Sequence, residues 1–598
     1  MKMKKDNLWT GYTQDDKNKI NTICERYKEC LDAGKTEREC VTLAVTMAEE
    51  KGYRELYATI ENGEKIKAGD KLYVVQMNKS IALFQMGRKP LSEGMNILGA
   101  HIDSPRIDVK QNPLYEKDGF AYLDTHYYGG IKKYQWTATP LALHGVIAKK
   151  DGTIVPVSIG EQEDDPVFVI TDLLIHLAGE QMAKKATEVV TGENLDLLIG
   201  NCPLEQNEEF DSDEKEAIRA NVLGILLETY GMEEEDFLSA ELEIVPAGKA
   251  RDLGLDRSMI LAYGQDDRIC AFTSLFAMLD MAEQITDRTL CCLLVDKEEI
   301  GSVGATGMQA RFFENTVAEL IAATEQDSQL LVRRALSRSR MLSSDVSAGF
   351  DPLYANAFEK KNAAFLAHGL AFNKFTGSRG KSGSNDANAE YIAKLRKIMD
   401  DANVAYQFSE LGKVDMGGGG TIAYIMAKYG MDVIDSGVAV MNMHAPYEVS
   451  SKADIYEAVK GYTAFFVTAL RLGARSAVGV DIDPKAEGIA RENAAYNGFG
   501  APEFAALTGN VTADKKLMDR LAGARYDLVL VNIVADVIIS LAPVLPTFMD
   551  ENTRLVCSGI LDTRLDDVTA ALEKAGLAVT KTKAKEDWRC VSAKRRTL

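Results

Sequence analysis

Five short apolar runs between Asn96 and His444 each stop on a histidine or a carboxylate, and stretches with helical spacing separate them. Runs that are apolar without alternation suit strands covered on both faces, as in an open α/β sheet. In such sheets the chemistry gathers just beyond the strand ends. The clearest case is Leu290 to Val295, which leads into the adjacent acids Glu298 and Glu299 and then into glycines. Taken alone, two neighbouring glutamates describe a solvated loop, so their meaning depends on what the other four runs bring. Asn96 to Ala100 ends on His101 and Asp103, two residues apart and therefore on one side of an extended chain. Another run precedes Asp266 and Asp267, placed where an apolar helix from about Arg268 to Ile285 should begin, a position that favours carboxylates. Arg340 to Ser344 ends on Asp345, and Ser436 to Met443 reads as one strand ending on His444.

At 598 residues the chain is too long for one core, so about three or four domains are expected. Its net charge of -20 argues against a general binder of nucleic acid or of anionic membranes. Nine scattered cysteines without a CxxC pair fit reduced thiols and a cytoplasmic protein. The basic residues near Met1 have no apolar run behind them, so no signal peptide is expected, and no stretch is long and apolar enough to span a membrane. Residues 106–243 change texture, with short β-like runs, glycines and aromatics up to Val169 and a helical piece near Leu173 to Ala183. Because the strand-end motifs resume only afterwards, this stretch reads as an insertion.

One histidine and one carboxylate for each of two metals, with a further carboxylate shared between them, describes a co-catalytic zinc pair about 3.5–4 Å apart. Such a pair brings the pKa of a bridging water toward neutrality and polarises a carbonyl. It also needs a carboxylate that is not a ligand, to carry the proton, and adjacent glutamates can divide those tasks. Asp103 is placed to accept the second ring N–H of His101. The helix-borne HExxH pattern of single-zinc peptidases is absent. Gly417 to Gly420 forms a glycine loop before a helix, and the backbone N–H groups of Gly418 and Gly419 could hold a substrate carbonyl.

AHIDSP from Ala100, GQDDR from Gly264, DKEEIGS from Asp296, SD at Ser344 and MHAPYE from Met443 stand in the order of the motifs of the M18 zinc aminopeptidases, which the chain resembles up to about residue 468. The resemblance implies an α/β peptidase sandwich, of phosphorylase/hydrolase-like architecture, made of residues 1–105 and 244–468, with residues 106–243 as an inserted β-rich dimerisation domain. It implies hydrolysis of the N-terminal residue from peptides, two Zn2+ per subunit (Co2+ or Mn2+ as substitutes) and a homo-dimer building to a dodecamer. It further implies Asp266 as the bridging ligand, His101 and Asp345 completing one metal, and Glu299 and His444 the other. Glu298 would be the general base, Asp103 would orient His101, and Asp267 would follow the bridge across a strained peptide. Lys374 and Lys381 are candidates to meet a substrate side chain. Two departures bear on specificity: Ser347 to Pro352 lacks the histidines of aspartyl aminopeptidases, and Asp172 stands where those enzymes carry a histidine that reaches a neighbouring subunit. A neutral or apolar N-terminal residue is therefore as open as an acidic one.

Residues 469–598 belong to something else. Strand-like Ser476 to Ile482, an N-cap and proline at Asp483 and Pro484, and strand-like Tyr526 to Val534 resemble the C-terminal part of ribosomal protein L11 methyltransferase. That resemblance implies a Rossmann-like fragment in which Asp481 holds the ribose of S-adenosylmethionine and Asn532 lies beside its methyl group. A methyltransferase is thus the alternative function. However, the first strand and glycine-rich turn that receive such a cofactor are missing upstream, so a truncated sheet with an uncovered edge and no useful cofactor binding is expected.

Overall fold

The computed structural model describes residues 7–204, 216–325, 328–378, 380–467, 477–483, 485–488, 504–524, 526–585 and 587–596. They fall into two compact units, Met1–Gly473 and Ala474–Leu598.

The first unit is built on a nine-stranded mixed sheet. At its centre Leu290–Val295 runs parallel to Asn96–His101, which runs parallel to Arg340–Ser343, which in turn runs parallel to Asp432–Gly437. Val295 lies opposite His101, Gly99 opposite Ser343, and Ser343 opposite Asp435. Parallel pairing in this register brings the carboxyl ends of all four strands out along one edge. Alternate side chains serve two cores: Leu98 and Leu294 pack with Ile20, Phe272, Phe276 and Phe465 on one face, and Ile97 and Leu293 with Phe313, Leu336 and Met341 on the other. Helices Gln14–Ala33, Gln265–Asp280 and Lys452–Val467 cover the first face, and Phe312–Thr324 and Gln329–Arg338 the second. Emptying a position such as Phe276, which is 1% exposed, costs on the order of 3–5 kcal/mol.

A second, six-stranded antiparallel sheet contains Ile154–Ile159, Leu141–Ala148, Ala240–Pro246, Arg106–Lys117, Phe120–Tyr128 and Leu197–Gly200 in that order. It has its own core around Trp136, Leu143, Leu197 and Ile244. Where a helix was expected from Leu173 to Ala183, only a turn at Ile175–Leu177 and a four-residue helix at Gly179–Met182 form. Leu174, Ile175, Leu177 and Met182 remain 54–70% exposed, and a helix with no packed face is not sustained at this length.

A third sheet has the order Arg251–Leu253, Met259–Ala262, Glu448–Ser451, Ala439–Met441 and Ser347–Ala348. Both Met259–Ala262 and Ala439–Met441 run antiparallel to Glu448–Ser451, so their carboxyl ends leave together. This corrects the single strand expected from Ser436 to His444. Asp432–Gly437 belongs to the large sheet and Ala439–Met441 to the small one. The chain changes sheets at Gly437, where a Cβ would lie 1.9 Å from the Asp345 carbonyl oxygen and only glycine fits.

The second unit carries a two-stranded parallel sheet, Ala477–Asp481 with Phe504–Thr508, and a separate four-stranded sheet in the order Leu528–Asn532, Arg554–Leu561, Trp588–Arg595, Leu577–Lys585. In a doubly wound sheet the first strand lies between the second and the fourth. Among the described residues no such strand joins the two sheets, and Leu528 and Leu530, on an edge strand, are 50% and 67% exposed.

Candidate metal centre

Where the edges of the large and small sheets meet, their strand ends supply different donors. The large sheet delivers His101, Asp103, Glu298, Glu299 and Asp345; the small one delivers Asp266, Asp267 and His444. The Asp266 carboxylate stands between the histidines, with His101 Nε2 3.3 Å from Oδ1 and His444 Nε2 3.3 Å from Oδ2. Glu299 Oε2 is 3.4 Å from His444 Nε2, whereas Glu298 Oε2 comes only to 3.9 Å from His101 Nε2. Donor atoms of His101, Asp266 and Glu299 lie within 4.8 Å of one another, as do those of His101, Asp267 and Asp345. Around Asp345 it is thus Asp267, across a cis peptide from Asp266, that completes the closest group.

Asp103 does more than meet one ring. Its Oδ1 is 3.2 Å from His101 Nδ1, its carbonyl oxygen is 3.0 Å from the same nitrogen, and its two carboxylate oxygens accept the backbone N–H groups of Glu298 and Glu299 at 3.1 and 3.2 Å. One buried carboxylate therefore fixes both a histidine and the turn Glu298–Ile300, which enters and leaves through left-handed Lys297 and Gly301. Glu448 plays the matching part in the small sheet. Fully buried at the start of its strand, it accepts the backbone N–H of Asp266 at 2.9 Å and of His444 at 2.8 Å. Glu448 closes the MHAPYE motif, and a lone acid opening the serine-rich strand EVSS is the local signal for it.

Charge is unbalanced in this pocket. Burial works to lower the His101 pKa, but hydrogen bonds to Asp103 and Asp266 outweigh it and raise it well above the usual histidine range. The same contest, decided by Asp266 and Glu299, lifts His444 to about 10. Burial is likewise overcome at Asp266, which both histidines keep ionised. Glu299 is driven well up by burial and the Asp266 charge, and Asp345 by burial and the Asp267 charge. Burial also lifts Glu298 to about 7. Among the described residues, Glu299 Oε1 is buried without a hydrogen-bond partner. Buried oxygens seldom remain unpaired, and a set of imidazole nitrogens and carboxylate oxygens left wanting positive charge fits divalent zinc.

The other candidate residues have surroundings of their own. Lys381 pairs with Asp386 at 3.0 Å and lies 4.0 Å over the Phe375 ring. Lys374 lines a hollow of about 790 Å³ together with Arg396, Tyr406 and Glu457. Asp172 accepts the Gln181 side-chain amide and the Leu173 N–H, both at 2.8 Å, in the exposed arm. The carbonyl of Gly419 accepts the Gly377 N–H, and the Cα of Gly418 faces Gly377 and Ser378, so the glycine loop is docked on the Gly377 loop. In the second unit Asp481 accepts the Asp483 N–H at 2.9 Å, and Asn532 accepts the Ser558 hydroxyl at 2.9 Å on another sheet.

A family model described as "Aminopeptidase I zinc metalloprotease (M18)" matches residues 30–466. The chain belongs to the M18 family. Its relatives include the probable M18 family aminopeptidase 1 of Clostridium acetobutylicum, 57% identical over 459 residues that make up 77% of this chain and 97% of the relative. The counterpart in Borreliella burgdorferi is 43% identical over 467 residues, 78% of this chain and all of the relative. Among solved structures, aminopeptidase I from Clostridium acetobutylicum matches with a TM-score of 0.71 at 56% identity over 77% of this chain and 98% of that one. The M18 aminopeptidase from Thermotoga maritima matches with a TM-score of 0.72 at 42% identity over 78% and 99%. The mApe1 dodecamer of S. cerevisiae, at 18% identity and a TM-score of 0.61 over 76% and 99%, shares the fold. A model of ribosomal protein L11 methyltransferase matches residues 461–596. This M18 zinc metallo-aminopeptidase thus carries a methyltransferase-like tail, and no helix among the described residues is long and apolar enough to cross a membrane.

Proposed function

We propose that the chain removes single N-terminal residues from peptides with two zinc ions held by His101, Asp266, Glu299, Asp345 and His444. The observation that carries this reading is the Asp266 carboxylate, which offers one oxygen to each histidine at the same 3.3 Å. When bound, the ions supply Lewis acidity, which polarises the scissile carbonyl and acidifies water. Glu298 is held by its backbone to Asp103, and its carboxylate is the more exposed of the two glutamates, 16% against 3% for Glu299. From there Glu298 Oε2 takes the proton of the attacking water and returns it to the departing amine. Asp103 and Glu448 keep the donors in place. Asp267 lies within reach of the group around Asp345 and is a reserve oxygen donor.

The exposed apolar arm at Leu174, Ile175, Leu177 and Met182 supports a homo-oligomer, because so large a run of apolar side chains calls for cover. A dodecamer like that of mApe1 is the assembly proposed, and light scattering of the purified chain tests it. The central experiment joins elemental analysis to a panel of aminoacyl-anilides assayed with zinc, cobalt and manganese. Two ions per chain and metal-dependent release of the anilide are expected. One ion per chain, or hydrolysis unaffected by complete metal removal, contradicts the reading. The same panel decides between acidic and apolar N-terminal residues. For the tail, its divided sheet supports a unit that does not bind S-adenosylmethionine.

A further inference from the structure

The sheet that serves as the inserted half of the first unit sends one strand into the metal centre. Phe120–Tyr128 pairs antiparallel with Arg106–Lys117, with Tyr128 opposite Arg106. The buried Arg106 guanidinium lies 3.9 Å over the Tyr128 ring and is itself held by Glu37 at 3.2 Å and Glu243 at 3.1 Å. So fixed, the Tyr128 hydroxyl donates to Asp103 Oδ2 at 2.8 Å. The next two residues touch the opposite side of the site. Gly129 has a φ of +75°, and a Cβ there would stand 3.4 Å from Glu299 Cβ and 3.5 Å from Glu299 Oε2. The Gly130 carbonyl lies 3.0 Å from His444 Nδ1, and a Cβ on Gly130 would come within 3.4 Å of that nitrogen.

We propose that Tyr128, Gly129 and Gly130 form a positioning wall for the metal centre, supplied by the β-rich sheet rather than by either sheet that carries the donors. The inference rests on the two-zinc reading above. Each residue has a separate task. The Tyr128 hydroxyl completes the four-fold set of donors that fixes Asp103, and through it His101 and the Glu298–Glu299 turn. In the neutral ring that a metal requires, the Gly130 carbonyl accepts the Nδ1 proton of His444, which leaves the Nε2 lone pair on the side of Asp266 and Glu299. Gly129, with its φ of +75°, supplies the left-handed turn that carries the chain from Tyr128 to Gly130 alongside Glu299. None of the three contacts substrate in this scheme; they act through the ligands.

The test is zinc affinity, measured by competition with a chromogenic chelator, alongside the melting temperature of the metal-free protein. Tyr128→Phe keeps the ring under Arg106 and removes only the hydroxyl. It is expected to weaken zinc binding about 10–100-fold, the usual cost of losing a partner behind a ligand, while the metal-free melting temperature stays at the parent value. Tyr127→Phe is the control, since Tyr127 is 42% exposed and stacks on His126 instead. Parental zinc affinity in Tyr128→Phe overturns the wall and leaves the two-zinc reading standing. A parent chain that takes up no zinc overturns both. A fall in metal-free stability equal to the fall in zinc binding assigns Tyr128 a structural role and also overturns the proposal.

Discussion

Replacing Glu298 by glutamine separates the proton carrier from the metal donors. The two side chains are nearly the same shape, and the turn is held by the Glu298 and Glu299 backbone N–H groups on Asp103, which the substitution leaves alone. Glu298 Oε2 stands 3.9 Å from His101, and the residue belongs to neither closely spaced donor group, so zinc binding should persist. Turnover should not. A positioned general base contributes about 10²–10⁴ in rate, which at ~1.4 kcal/mol per tenfold is roughly 3–5 kcal/mol of barrier. Glu299→Gln is the contrast: that side chain is 3% exposed, lies 3.4 Å from His444, and its other oxygen has no partner among the described residues, so its loss should release metal. The assay pairs kcat on the best aminoacyl-anilide with zinc content of the same sample. A Glu298→Gln protein that keeps near-full turnover with zinc bound would remove Glu298 as the base. One that loses zinc as Glu299→Gln does would make it a ligand.

Three further outcomes follow from the same structure. Stripping the ions should lower the melting temperature in calorimetry, because acids drawn from two sheets are left facing one another; a site filled at a thousandfold excess over Kd is worth about 4 kcal/mol, and an unchanged melting temperature would count against the site. Asp435 is fully buried beside Thr421, and burial pushes it up to about 7 from an ordinary 3.8, so the folded chain keeps a proton that the unfolded chain has shed. Stability should therefore fall between about pH 4 and 7 by on the order of 2–4 kcal/mol, and Asp435→Asn should flatten that slope in denaturant titrations at pH 5 and 7.5. Finally, calorimetric titration with S-adenosylmethionine should show no binding tighter than ~1 mM, and a micromolar Kd would restore the methyltransferase reading.

The candidate donors were legible because five runs lead to a histidine or a carboxylate, and their division between two metals came with the order of the M18 motifs. Leu290–Val295 and Asn96–His101 needed only the rule that parallel strands present their ends together. What the sequence did not reveal was that Asp266 and His444 come from a different sheet. The run from Ser436 to His444 is apolar throughout, and nothing in its pattern marks Gly437 as the crossing; the tight approach of the Asp345 carbonyl is a tertiary fact. Glu448 and Tyr128 were hidden for a similar reason. Their partners are backbone N–H groups and a carboxylate far away in the chain, and no local periodicity encodes such contacts. The arm at Leu173 to Met182 misled in the opposite way, since its apolar spacing suggests a helix but the described chain gives that face nothing to cover it.

The centre draws on residues from His101 to His444, more than three hundred positions of chain. At synthesis rates of ~5–20 residues per second, roughly twenty seconds to a minute pass between the birth of the first imidazole and the last. Throughout that interval the nascent polypeptide displays His101, Asp103 and then the paired glutamates without the small sheet's closing histidine. A ribosome that stalls before codon 444 therefore leaves a chain with one imidazole of the candidate pair and without the other.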